Sequence, residues 1–126
     1  EYKSFNRETQ LISFIDSTIN KLVNKEGVAK DKITVLSNRK KSNSVLKEVD
    51  KVGGCLIDEV DDNEDVIKFR TIQGFKGLES DVIIFINHTF KDDPKTDDKN
   101  SLKYTALTRA RFFLYCIDYY DKSKSN

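Results

Sequence analysis

Val82-Ile-Ile-Phe-Ile86 is an unbroken apolar run, and four of its five residues are β-branched. A strand with one face in water alternates apolar and polar residues, so an unbroken run predicts a strand buried on both faces. Ile33-Thr-Val-Leu36, Val66–Phe69 and Phe112–Ile117 also read as short strands rich in residues that favour the extended backbone. Helical spacing fills much of the chain between them. Leu11, Ile12, Ile15, Ile19, Leu22 and Val23 recur every three or four residues. They predict a helix over Arg7–Glu26, with Asn6 as its N-cap and Gly27 as its stop. Val45, Leu46 and Val49 predict a second helix over Ser42–Val52, closed by Gly53-Gly54, and Ser101–Ala110 reads as a third. Phe90–Asn100 is polar, holds the only proline and reads as an exposed loop, while 118–126 reads as a frayed tail. Strands alternating with helices define an α/β fold, a parallel sheet with helices on both faces. In such sheets ligands bind at the C-terminal ends of the strands.

A length of 126 residues suits one domain, 1–126, large enough to bury a core. The absence of any Met predicts a fragment of a longer protein. A five-residue apolar run is far short of the ~20 residues that span a bilayer, and no signal peptide opens the chain, which predicts a cytoplasmic protein with no membrane partner. The net charge of +1, from 22 basic and 21 acidic residues, lacks the basic excess of a stand-alone nucleic-acid binder. Cys55 and Cys116 lie in apolar contexts without a CxxC pair and read as reduced and buried. His88 is the only histidine, and no metal site is expected.

Two stretches carry chemistry. Thr71-Ile-Gln-Gly-Phe-Lys-Gly-Leu-Glu79 follows one strand and precedes another. Its glycines allow close backbone approach to a ligand, and exposed N–H groups in a turn can hold phosphate oxygens. Lys76 adds a cation, and Glu79 adds an acceptor suited to a ribose hydroxyl. The plainer alternative is a strand–turn–strand connection in which Gly74 and Gly77 serve only the turn. The second stretch is Tyr104-Thr-Ala-Leu-Thr-Arg-Ala-Arg111. Arginines two apart on a helix point to different sides, so Arg109 and Arg111 do not share one role. One can enter a cleft as a phosphate ligand while the other pairs with an acidic neighbour. Surface salt bridges for both are the plainer alternative. Cys55-Leu-Ile-Asp-Glu59 mimics a Walker B strand, but the run is short and no P-loop precedes it, so Asp58–Asp65 reads as a solvated acidic loop.

In this order, the two stretches resemble motifs V and VI of the UvrD/Rep-type superfamily 1 helicases. Thr71, Lys76, Gly77, Leu78 and Glu79 match the T-x-H-x-x-K-G-L-E pattern of motif V. Tyr104, Ala106, Leu107, Thr108, Arg109 and Ala110 match the Y-V-A-L-T-R-A pattern of motif VI. The resemblance spans roughly Arg7 to Ile117 and implies a RecA-like (P-loop NTPase-like) helicase C-terminal domain. It implies that Arg109 reaches the γ-phosphate of ATP as an arginine finger and that Glu79 hydrogen-bonds the ribose. Lys76 and Gly77 would help couple the sites, and Thr71, Gln73 and Tyr104 would meet single-stranded DNA. Gln73 departs from the pattern, which has His there, and an amide cannot titrate as an imidazole does. No Gly-Lys dipeptide and hence no P-loop occurs. ATP with Mg²⁺ would therefore be held mainly by an N-terminal RecA-like domain of the same protein, and this chain alone would hydrolyse nothing. The alternative from another class is a degenerate helicase-like module that binds DNA or a protein without hydrolysis.

Overall fold

A computed structural model describes residues 2–59, 65–72, 80–90 and 110–121. Within them a seven-stranded sheet runs β1 (Tyr2–Phe5), β2 (Ile33–Ser37), β3 (Lys51–Val52), β4 (Cys55–Asp58), β5 (Val66–Thr71), β6 (Ser80–Phe90) and β7 (Ala110–Asp121). The order across the sheet is β1-β7-β6-β2-β5-β4-β3. Every neighbouring pair is parallel except β3–β4. This is the mostly parallel α/β sheet that the apolar runs predict, with Val82–Ile86, in β6, near its centre.

The helix α1 (Glu8–Asn20) buries Leu11, Ile15 and Ile19 against one face of the sheet, where they join Ile33, Val35, Val82, Ile84, Ile86 and Ile117. Its N-cap is Arg7, with extended backbone and no side-chain cap bond, rather than Asn6. Beyond Asn20 the helix continues as a π-helical turn over Lys21–Lys25. Gly27, at φ +71°, does stop it, since the Val28 N–H returns to the Leu22 carbonyl at 2.9 Å. The opposite face of the central strands is buried too: Leu36, Ile83 and Phe85 are fully shielded and cluster with Ile72 and Leu114. Burial on both faces is why these strands carry no polar alternation.

Two expectations are corrected. Ser42–Val52 is not a helix: Lys41–Asn43 form a 3-10 turn, further turns follow, and Lys51–Val52 is strand β3. Gly53 and Gly54, at φ +57° and +83°, do not close a helix but make the two-residue turn of the β3–β4 hairpin. A Cβ on Gly53 would lie 2.8 Å from the Asp16 carbonyl oxygen and 2.7 Å from the Asn20 nitrogen, so only glycine lets this turn seat on α1. Asp16 Oδ1 holds it there by accepting the Gly53 N–H at 2.8 Å. The second correction is at the end of the chain. Residues 118–121 do not fray but extend β7, with Asp118 and Tyr119 buried between β6 and β1.

Ala110, expected to end a helix, opens β7, and Phe90, expected to open a loop, ends β6. The rest of the third expected helix, 101–109, and of the loop, 91–100, lies outside the described residues. Among the described residues no helix is long and apolar enough to cross a membrane.

Candidate functional site

Parallel strands give the sheet two chemically distinct edges. Ser37 of β2, Thr71 of β5, His88 of β6 and Asp118 of β7 lie toward the C-terminal edge. Ser80 and Ala110, the first residues of β6 and β7, pair with each other at the N-terminal edge. Thr71, the candidate nucleic-acid contact, is half-buried opposite Ser37, where the Ile72 N–H bonds the Ser37 carbonyl at 3.0 Å. Gln73, Lys76, Gly77, Glu79, Tyr104 and Arg109 lie outside the described residues. Glu79 is one peptide bond from Ser80 and Arg109 is one peptide bond from Ala110, so the in-register pair joins the ends of both motif stretches.

This differs from the expectation that the ligand site gathers at the C-terminal strand ends. Thr71 is there. The attachment points of Glu79 and Arg109 are not. Ser37, the partner of Thr71, pairs with Ile86, six residues along β6 from Ser80. At ~3.3 Å per residue the two levels are about 20 Å apart, beyond the reach of any one side chain. Just inside the N-terminal edge the register slips: Ser80 pairs with Ala110 but Val82 pairs with Phe113, so β7 carries one extra residue. Such a bulge bends and twists its strand locally and re-aims the side chains beside it.

The N-terminal edge is closed by hydroxyls. Thr34 Oγ1 donates to Ser80 Oγ at 3.1 Å, and Ser80 Oγ in turn lies 3.0 Å from the Lys32 carbonyl and 3.1 Å from that of Val82. Both hydroxyl residues are buried. Lys32 ends the 3-10 turn Lys30–Lys32 that leads into β2, so the cluster ties that turn, β2 and β6 together.

The C-terminal edge holds a polar cluster that the motifs do not include. Asn38 grips the end of β6, its Nδ2 donating to the His88 carbonyl and its Oδ1 accepting the His88 N–H, both at 2.9 Å. The His88 ring meets Tyr119 edge-on with centroids 5.1 Å apart. On the next register position Asn87 Nδ2 donates to Asp118 Oδ1 at 3.2 Å, with both residues buried. Burial pushes the Asp118 carboxyl up to about 6, partly offset by a hydrogen bond from the Tyr120 side chain. Beside Tyr120, Ser4, Phe5, Asn6 and Gln10 line a cavity of about 190 Å³. The one sequence signal for this cluster is that polar residues directly continue apolar runs, Asn87-His88 after Ile86 and Asp118 after Ile117.

The Walker B mimic ends in exposed Asp58 and Glu59 near the far edge of the sheet, where the Asp58 carboxylate accepts the Glu59 N–H at 2.7 Å. Cys55 is buried and Cys116 partly buried, both as free thiols.

Together these observations define an α/β domain built on a mostly parallel sheet with a buried core. No protein-family model matches the chain, and no curated protein matches it in sequence. Among solved structures it is similar to the C-terminal domain of a possible DNA helicase from Lactobacillus plantarum WCFS1, with a TM-score of 0.71 and 17% identity over 99% of this chain and 76% of that one. The chain shares that domain's fold.

Proposed function

We propose that this chain is the C-terminal motor domain of an ATP-dependent superfamily 1 DNA helicase of UvrD/Rep type, working in the cytoplasm on single-stranded DNA. In this reading the sheet is RecA-like, with helices over both faces. Arg109 supplies the arginine finger and Glu79 binds the ATP ribose. Lys76 and Gly77 couple that site to the strand of DNA, which Thr71, Gln73 and Tyr104 contact. An N-terminal RecA-like domain of the same protein holds most of the ATP and its Mg²⁺, so hydrolysis requires both halves.

One observation carries the reading. Ser80 and Ala110 pair in register, so the residues that the motif resemblance assigns to ATP are attached to neighbouring strands at one sheet edge. Thr71, assigned to DNA, sits at the opposite edge. Two ligands attached at two edges of one rigid sheet is the arrangement a motor needs if ATP binding is to move its grip on a strand. The fold shared with the domain of a possible DNA helicase supports the same reading.

Arg109→Ala in the full-length protein tests it. An arginine finger is worth ~10³–10⁵ in turnover because it meets charge that develops in the transition state. ATP turnover should therefore fall at least about a thousandfold. Turnover that survives the substitution contradicts the reading, as does robust hydrolysis by this chain alone.

A further inference from the structure

We propose that the outer half of the sheet's second face, where Lys51, Lys68 and Arg70 surround exposed Leu56, is a track for the phosphate backbone of single-stranded DNA leading away from Thr71. The inference rests on the functional reading above, which gives Thr71 to the strand, and adds a surface that neither motif includes.

The register fixes which side chains share this face. Val52, Cys55, Ile57, Ile67 and Phe69 join the core on the α1 side of the sheet. Alternation along each strand turns Lys51 of β3, Leu56 and Asp58 of β4, and Lys68 and Arg70 of β5 to the opposite side. Across the strands Lys51 pairs with Leu56, Leu56 with Val66, and Asp58 with Lys68. At the centre of the sheet the same side is buried, at Leu36, Ile83 and Phe85. At β3 and β4 it is open: Lys51 and Asp58 are exposed, and Leu56 is 47% exposed. The charges of this half are Lys51, Lys68 and Arg70 against the Asp58 carboxylate, which accepts the Glu59 N–H at 2.7 Å. Neither lysine is ion-paired among the described residues. Arg70 is held in place by donating Nη1 to the Glu59 carbonyl at 2.6 Å and to the Phe69 carbonyl at 2.9 Å.

The cations form a line that starts beside Thr71. Arg70 is the residue before it, and Lys68 follows two residues down the same face of β5, about 7 Å away. Lys51 lies two strands further out, about 10 Å, and one row lower. Regularly spaced cations suit a polymer that carries a charge at every repeat, and the position of the first one makes the line continuous with the residue assigned to the strand. Exposed Leu56, between Lys51 and β5, offers an apolar surface to a sugar or base.

The test titrates the full-length protein, without nucleotide, into a fluorescein-labelled dT oligonucleotide over a series of salt concentrations. Lys51→Gln and Lys68→Gln should each weaken binding about threefold and together about tenfold. Each lysine removed should also make the slope of log affinity against log salt shallower by about 0.7, because one fewer phosphate is neutralised. Asp58→Asn keeps the acceptor for the Glu59 N–H but removes the opposing charge, and should tighten binding by up to about threefold. Urea midpoints of the variants should match wild type, since the substituted groups lie at the surface. A double variant that binds at full strength, or one that loses affinity at unchanged salt slope, overturns the track while the functional reading stands. A labelled polyglutamate peptide that binds wild type as tightly as the oligonucleotide, and is lost with the same lysines, overturns it in favour of an acidic protein partner. If wild type binds no oligonucleotide, the functional reading falls and takes this inference with it.

Discussion

The two edges of the sheet are built from different chemistry. At the N-terminal edge Thr34, Ser80 and the Lys32 carbonyl form a neutral relay with no group that titrates near pH 7. At the C-terminal edge the buried side chains of Asn87, His88 and Asp118 include a carboxyl held near the middle of the pH scale. A neutral relay holds its geometry whatever the pH. A buried carboxyl ties the stability of its edge to proton uptake. The comparison teaches that Ser80 and Asp118, at opposite ends of the β6–β7 pair, lie about 20 Å or more apart.

The largest expected contrast is in catalysis. Arg109→Ala should cost turnover at least ~10³-fold, whereas Asp118→Asn, at the other edge, should leave turnover in the full-length protein within about twofold where both proteins are folded. A comparable loss from Asp118→Asn would erase the distinction between the edges.

A second contrast is in stability against pH. Folded Asp118 keeps its proton up to about pH 6, while the ordinary carboxyl releases it near 3.8, so the folded state binds more protons between these values. Its contribution is fully present below about pH 3.8 and is lost as pH rises through about 6. The loss is at most about 3 kcal/mol. Urea unfolding of wild type and Asp118→Asn should therefore give similar midpoints at pH 4 and a more stable variant at pH 8. Parallel pH profiles for the two proteins would show that the carboxyl is not held by burial. Thr34→Val, at the neutral edge, should by contrast lower stability by about 1 kcal/mol at every pH in this range.

The smallest effect concerns the grip on β6. Asn38→Ala removes two hydrogen bonds to the His88 backbone and should cost about 1–2 kcal/mol. It should leave the KM for ATP unchanged. A rise in that KM would mean that the edges are mechanically coupled along β6.

The centre of the sheet was legible in the sequence because burial on both faces writes short runs rich in β-branched residues, as in Ile33–Leu36 and Val82–Ile86. Helix α1 was legible because one buried face imposes its own period on Leu11, Ile15 and Ile19. The periphery was not. Tyr2–Phe5 is too short and too polar to read as a strand, and it exists because β7 offers it a partner at Cys116–Tyr119. Val45, Leu46 and Val49 have helical spacing, yet Gly53 and Gly54 at positive φ turn Lys51–Val52 back on Cys55–Asp58 as a hairpin. Asp118 and Tyr119 looked like a tail because their burial depends on neighbours distant in the chain. The candidate residues themselves were named by motif, but the pairing that joins their attachment points is a matter of register. No local pattern reports that Ser80 meets Ala110.

Hydrogen exchange on the full-length protein, with and without a non-hydrolysable ATP analogue, tests the division between the edges most directly. The account predicts that the analogue protects amides at Ser80–Val82 and Ala110–Phe113 and leaves those at Asn87, His88 and Asp118 unchanged. Protection confined to the C-terminal edge, or absent from both, would contradict it.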